Sequence, residues 1–104
     1  MFIEIQPDLS VALRDADNFE HFKVVAPAAL TTEQLAQAMK ACGELAPEGV
    51  AWISPAWIFS SPAISRTTQW AEGFAKMVAD AKTKGWVRDP GGSIQAHVER
   101  TPAR

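Results

Sequence analysis

Residues 70–99 read WAEGFAKMVADAKTKGWVRDPGGSIQAHVE, and the change of hydrophobic period inside this stretch decides the fold class. Trp70, Phe74, Met77, Val78 and Ala81 recur at helical spacing, with Thr67, Ala71 and Ala75 at the edge of that face. The opposite side carries Glu72, Lys76, Asp80 and Lys84, which alternate in sign one turn apart. Pairs of this kind stabilise a helix by only about 0.2–0.5 kcal/mol each, so the ladder marks a solvated face. Gly85 supplies a left-handed stop, and Trp86 can fold back on Ala81. Asp89-Pro90-Gly91-Gly92 suits a type II turn. Ile94, Ala96 and Val98 then alternate with Gln95, His97 and Glu99, the pattern of a half-buried strand.

Working upstream, Thr31 and Gln34 form a capping-box pattern that Leu30 and Leu35 can staple. Leu35, Ala38, Met39 and Cys42 share one helical face and Gly43 offers a left-handed end, so a helix is expected over about 32–42. The second long helix is expected over about 67–84. Phe2 to Gln6 alternates as a short strand stopped by Pro7-Asp8, and Leu9 to Leu13 fits either a second strand or a turn of helix. Phe19 to Ala26 reads as a strand closed by Pro27, and Val50 to Ile53 as another. Ser54-Pro55 looks like an N-cap with proline at the first helical position, making Ala56 to Phe59 a short helical turn. The expected architecture is a single two-layer α+β domain over residues 1–100. Its sheet is mixed and mostly antiparallel with 4–5 strands, and its two main helices pack on one face. Residues 101–104 have no apolar pattern to anchor them and are expected to be a disordered tail.

With 104 residues, 47% apolar and 21% charged, the chain has the make-up of one globular domain with one core. A net charge of −2 with no basic stripe argues against nucleic acid as a partner. Met1-Phe2-Ile3-Glu4 lacks the basic start of a signal peptide. No apolar run approaches the roughly 20 residues of a membrane span, so no membrane association is expected. The single cysteine, Cys42, excludes an internal disulfide and fits a reducing cytosol, so a cytoplasmic location is expected. There is no tyrosine to supply phenol chemistry.

The candidate acid–base groups are His97, Glu99 and His21. On a strand His97 projects with Gln95 and Glu99, and a histidine beside a carboxylate can serve as a base. The same pattern also describes the wet face of an edge strand, and His21, between Phe19 and Lys23, has the same two readings. Zinc needs three or four ligands, and one cysteine and two scattered histidines lack the spacing, so neither metal nor cofactor is expected. Asp15, Asp17 and Glu20 hint at a calcium loop, but Phe19, Glu20 and Ala26 occupy positions that need an oxygen ligand, a glycine and a bidentate glutamate. Cys42, on the apolar helix face, reads as a small buried hydrophobe. Gly91-Gly92 precedes a strand rather than opening a helix, so it is no phosphate cradle. Ser54, Ser60, Ser61 and Ser65 read as caps and turn residues, although a hydroxyl-rich loop can also line a site.

Four tryptophans are a large apolar load for a core of this size. Trp70 belongs to the helix core face and Trp86 to the helix end. Trp52, Trp57, Ile58 and Phe59 cluster around the Ser54-Pro55 bend, where they form either core or an exposed patch marking an interface or a ligand cleft. Gly73 costs up to about 1 kcal/mol inside a helix, so either it admits the close approach of another backbone or it is simply tolerated. The run Gly85-Trp86-Val87 followed by Ile94 to Glu99 resembles small bacterial proteins, a likeness that implies no activity. With no catalytic constellation, the first functional expectation is a binding or assembly module. It would self-associate as a homodimer, or engage a partner, through an edge strand or the Trp57-Ile58-Phe59 patch. The alternative is a small-molecule-binding domain or small enzyme, with Trp52 and Trp57 as pocket walls and His97, Glu99 or His21 as its acid–base group.

Overall fold

In the computed structural model, which describes residues 1–88 and 91–102, the two longer helices start where side chains satisfy the first backbone N–H groups. Helix α1 (Thr32–Met39) opens on the full capping box: Gln34 N–H donates to Thr31 Oγ1 at 3.1 Å and Thr31 N–H donates to Gln34 Oε1 at 2.9 Å. The short α2 (Pro55–Ser60) has proline in its first turn. Helix α3 (Thr68–Thr83) opens on Thr67, whose Oγ1 accepts from Trp70 N–H at 3.1 Å. It closes on Gly85 at φ +77°, where Gly85 N–H donates to Lys82 O at 3.1 Å and Trp86 N–H to Ala81 O at 2.9 Å.

The strands are β1 (Phe2–Ile5), β2 (Val11–Arg14), β3 (Lys23–Pro27), β4 (Gly43–Ala46), β5 (Val50–Ile53), β6 (Val87–Arg88) and β7 (Ser93–Thr101). They form one mixed 7-stranded sheet, ordered β2-β1-β3-β7-β5-β4 with β6 also on β7, and the sheet curls into a half-barrel. The central pairs β1–β3 and β3–β7 are parallel and the remaining pairs antiparallel. The α+β expectation therefore stands in outline, but the sheet is larger and more mixed than the 4–5 strands read from the sequence.

The differences have local causes. Helix α1 ends at Met39, three residues short of the expected 32–42 helix, and β4 begins at Gly43, which is not a left-handed stop. A Cβ there would meet Trp52 O at 1.9 Å, so Gly43 is what lets β4 lie against β5. Strand β6 has only two residues and no periodicity to read. The ambiguous Leu9–Leu13 segment supplies β2 from Val11 onward, reached through the five residues 6–10, in which Leu9 is left-handed at φ +72° and its N–H donates to Gln6 O at 2.9 Å. The expected Phe19–Ala26 strand begins only at Lys23, because left-handed His21, at φ +55°, breaks the extended run. The type II turn rests on Asp89 and Pro90, which lie outside the described residues. Strand β7 continues through Thr101, which pairs with Pro27, while Ala103 and Arg104 of the expected tail lie outside the described residues.

Ile3, Val24, Ile53, Ile94, Ala51 and Ala96 are all buried on one face of the sheet. Leu35 and Met39 of α1, Ile58 of α2 and Trp70, Phe74 and Ala81 of α3 join them in one cluster. Trp70 buries its ring and still satisfies its indole, which donates Nε1–H to Ala16 O at 2.8 Å. Gly73 is explained by Phe19, whose ring lies where a Cβ would sit, 2.4 Å from Cε2.

Strand β7 also carries a fork. Ile94 pairs with Ile53 on one side, so its other partner, Val87 of β6, lies on the opposite edge. His97 pairs with Val50 on the β5 side and with Lys23 of β3 on the other. Strands β6 and β3 therefore stand end to end along one edge of β7, and the sheet parts between them at Gln95 and Ala96.

Candidate functional site: a cleft at the sheet fork

The gap between β6 and β3 opens into a cleft of about 570 Å³, within the range of small-molecule sites. Its floor is β7, which presents Gln95 and His97, with Val50 alongside on β5. One wall is α3, where Met77, Asp80, Ala81 and Lys84 fall on one stripe at helical spacing. Trp86, delivered by the Gly85 stop, closes the β6 end, and its carbonyl accepts from Gln95 N–H at 2.7 Å. Phe19, Glu20, His21 and Phe22 close the β3 end as the chain enters that strand.

The aromatic walls are held in place. Phe19 packs on Gly73 and tilts against Trp70, with ring centroids 5.7 Å apart. Trp86 is 44% exposed and has Lys84 Nζ 4.8 Å from its ring centre, a cation–π contact. Asp80 and Lys84, at the end of the charged ladder, thus border the cleft as well as the solvent. His21 reaches the rim from a left-handed backbone, a conformation that costs a residue with a Cβ about 1 kcal/mol.

Polar side chains on the outer sheet face fall into two groups. Arg14 Nε meets Glu4 Oε1 at 3.0 Å, Lys23 Nζ meets Glu99 Oε2 at 2.9 Å, and Arg88 Nη2 meets Glu44 Oε1 at 3.0 Å. By contrast, the side chains of His21, Gln95 and His97, three residues that line the cleft, enter none of the side-chain hydrogen bonds among the described residues. Their donors and acceptors are available to a bound molecule.

The structure brings together His21 and His97, 76 positions apart in sequence, and separates the other candidates. Glu99 shares the outer face with His97 but is bound to Lys23. Trp52 lies on that face beneath Arg88, whose guanidinium carbon is 4.8 Å from the ring centre. Trp57 packs against the core from α2 and borders a second groove with Leu13 and Ser61. Ile58 is fully buried, and Phe59, 46% exposed, sets its ring edge-on to Phe74 at 5.1 Å. The Trp57-Ile58-Phe59 run is therefore split between core and surface. The tryptophan that does line the cleft is Trp86, which sequence reasoning assigned only to covering a helix end. Its signal lay in the glycine before it, which turns the chain out of the helix and toward β7.

No group of three or more His, Cys, Asp or Glu side chains that could hold a metal ion occurs among the described residues. Burial pushes the Cys42 thiol up to about 11, which keeps it protonated and unreactive at neutral pH. No helix among the described residues is long and apolar enough to cross a membrane. Comparison with protein-family models, with curated proteins and with solved structures finds no match to this chain.

Proposed function

We propose that this chain is a small-molecule-binding domain and that the fork cleft is its binding site. The observation that carries this reading is the convergence of His21, Gln95 and His97, none with a side-chain partner among the described residues, on a cleft walled by Phe19, Phe22 and Trp86. A site with a few unpaired polar groups set in apolar walls fixes a ligand's orientation with the first and supplies burial with the second. Glu99 is engaged by Lys23 rather than by His97, which acts in this reading as a hydrogen-bonding group and not as half of a proton relay. The test is a fragment screen read by backbone and side-chain NMR. Shifts concentrated at His21, Trp86, Gln95 and His97 are expected, and shifts confined to Trp52 or Trp57 would move the site elsewhere.

A second reading, self-association, draws on the strands that pair on one side alone among the described residues, β2, β4 and the short β6, of which β2 or β4 could pair with a copy of itself. Light scattering at high micromolar concentration tests it. A particle of twice the chain mass is expected on this reading, and a monomer at every concentration would remove it.

A further inference from the structure

We infer that the fork cleft takes a planar heteroaromatic ring of the purine class, carrying a hydrogen-bond donor and acceptor side by side on one edge. The inference rests on the preceding reading of the cleft as a small-molecule site. Three features of the lining select this class.

First, the unpaired polar groups on the floor and rim are a carboxamide and two imidazoles, each able to donate and accept. Gln95 presents a donor and an acceptor in one plane, the arrangement that matches the edge of an adenine-like ring. His97 lies two residues along the same face of β7, roughly 6.6 Å away at about 3.3 Å per residue, within reach of the far side of a bicyclic ring. Second, Trp86, Phe19 and Phe22 offer flat apolar surfaces, on which a planar ring stacks while leaving its edge to the polar groups. Third, the charges argue against the other classes. Glu20 and Asp80 border the cleft against a single lysine, and that lysine, Lys84, is held over Trp86, so an anionic head group meets more repulsion than attraction. A quaternary ammonium would cover Gln95 and the imidazoles without satisfying their donors and acceptors.

The experiment titrates the intact protein with adenosine, benzoate and choline in separate arms, following the Gln95 side-chain amide, the Trp86 indole and the ring protons of His21 and His97. Adenosine is expected to shift all four residues saturably. Gln95→Leu, a change at a half-buried strand position that leaves the amide spectrum dispersed, is expected to weaken adenosine at least about tenfold, because a site built around that hydrogen bond discriminates strongly against its loss. Adenosine 5′-monophosphate should bind more weakly than adenosine, since its phosphate faces Glu20 and Asp80. If benzoate or choline shifts these residues and adenosine does not, the ligand class is wrong while the site stands. If Gln95→Leu binds adenosine as tightly as the parent protein, the edge recognition is wrong. If no probe moves these residues at millimolar concentration, the site and its ligand class both fall.

Discussion

Replacing Gly73 by alanine sets two effects of known size against each other at a single atom. In an exposed helix interior Gly→Ala stabilises by about 1 kcal/mol, because glycine loses more backbone freedom on folding. Here the new Cβ would stand 2.4 Å from Phe19 Cε2 and 2.9 Å from Cδ2 and Cζ, so the ring has to move. The ring already packs on α3 at both Gly73 and Trp70, and overpacking of this kind costs about 1–3 kcal/mol, with up to about 1.5 kcal/mol more if the aromatic pair is lost. The clash therefore outweighs the propensity gain, and Gly73→Ala is expected to destabilise by about 1–2 kcal/mol. In a Phe19→Ala background the obstacle is gone, so the same change should stabilise by about 0.5–1 kcal/mol. Urea unfolding of the four proteins in this cycle measures the coupling, provided the m-values agree. The reasoning fails if Gly73→Ala stabilises the parent protein, or if the two substitutions are additive within about 0.5 kcal/mol.

Three further outcomes follow from the same structure. His21→Gly should relieve the left-handed strain at φ +55° and raise the melting temperature by roughly 4 °C, about 1 kcal/mol for a chain of this size, while weakening any ligand of the fork cleft. A lower melting temperature would show that His21 contributes packing that outweighs its strain. Gly43→Ala should cost at least about 3 kcal/mol, since the clash is with a backbone carbonyl 1.9 Å from the new Cβ, and a urea midpoint within error of the parent would refute it. Cys42, whose thiol is raised to about 11 in the folded state, stabilises the fold fully below its ordinary value of 9.0 and loses that contribution as pH rises toward 11. Stability should therefore fall between about pH 9 and 11 more steeply in the parent than in Cys42→Ala, as read from urea midpoints across that range.

The parts of the fold that were legible in the sequence are those whose signals are local. The capping box at Thr31 and Gln34 and the Gly85 stop each involve residues within one turn of each other, and each forms as the spacing implies. Gly43 and Gly73 were illegible for the opposite reason. Both are glycines because of a distant neighbour, Trp52 for one and Phe19 for the other, and no window of sequence contains the pair. The candidate site divides the same way. His21 and His97 could each be named as titratable residues, but their meeting depends on β3 pairing with β7, and His21 reaches the rim by leaving the strand it was expected to join. Trp86 was read correctly as the residue after a helix stop, yet its place in the cleft depends on the two-residue pairing of β6, too short to carry a period.

The position of β7 in the sheet has a kinetic consequence. Without it, β2-β1-β3 and β5-β4 are two separate pieces with no strand-to-strand bond between them, and β7 joins both. Its partners on β3 lie some 74 positions earlier in the chain, so their register can be tested only after most of the polypeptide is available. Long-range parallel pairing of this kind is slow to form, since loop-closure entropy is lost before the contacts reward it. Until β7 docks, the facing edges of β3 and β5 remain unpaired templates for another chain. The interval before that last strand arrives is when this protein is most exposed to aggregation.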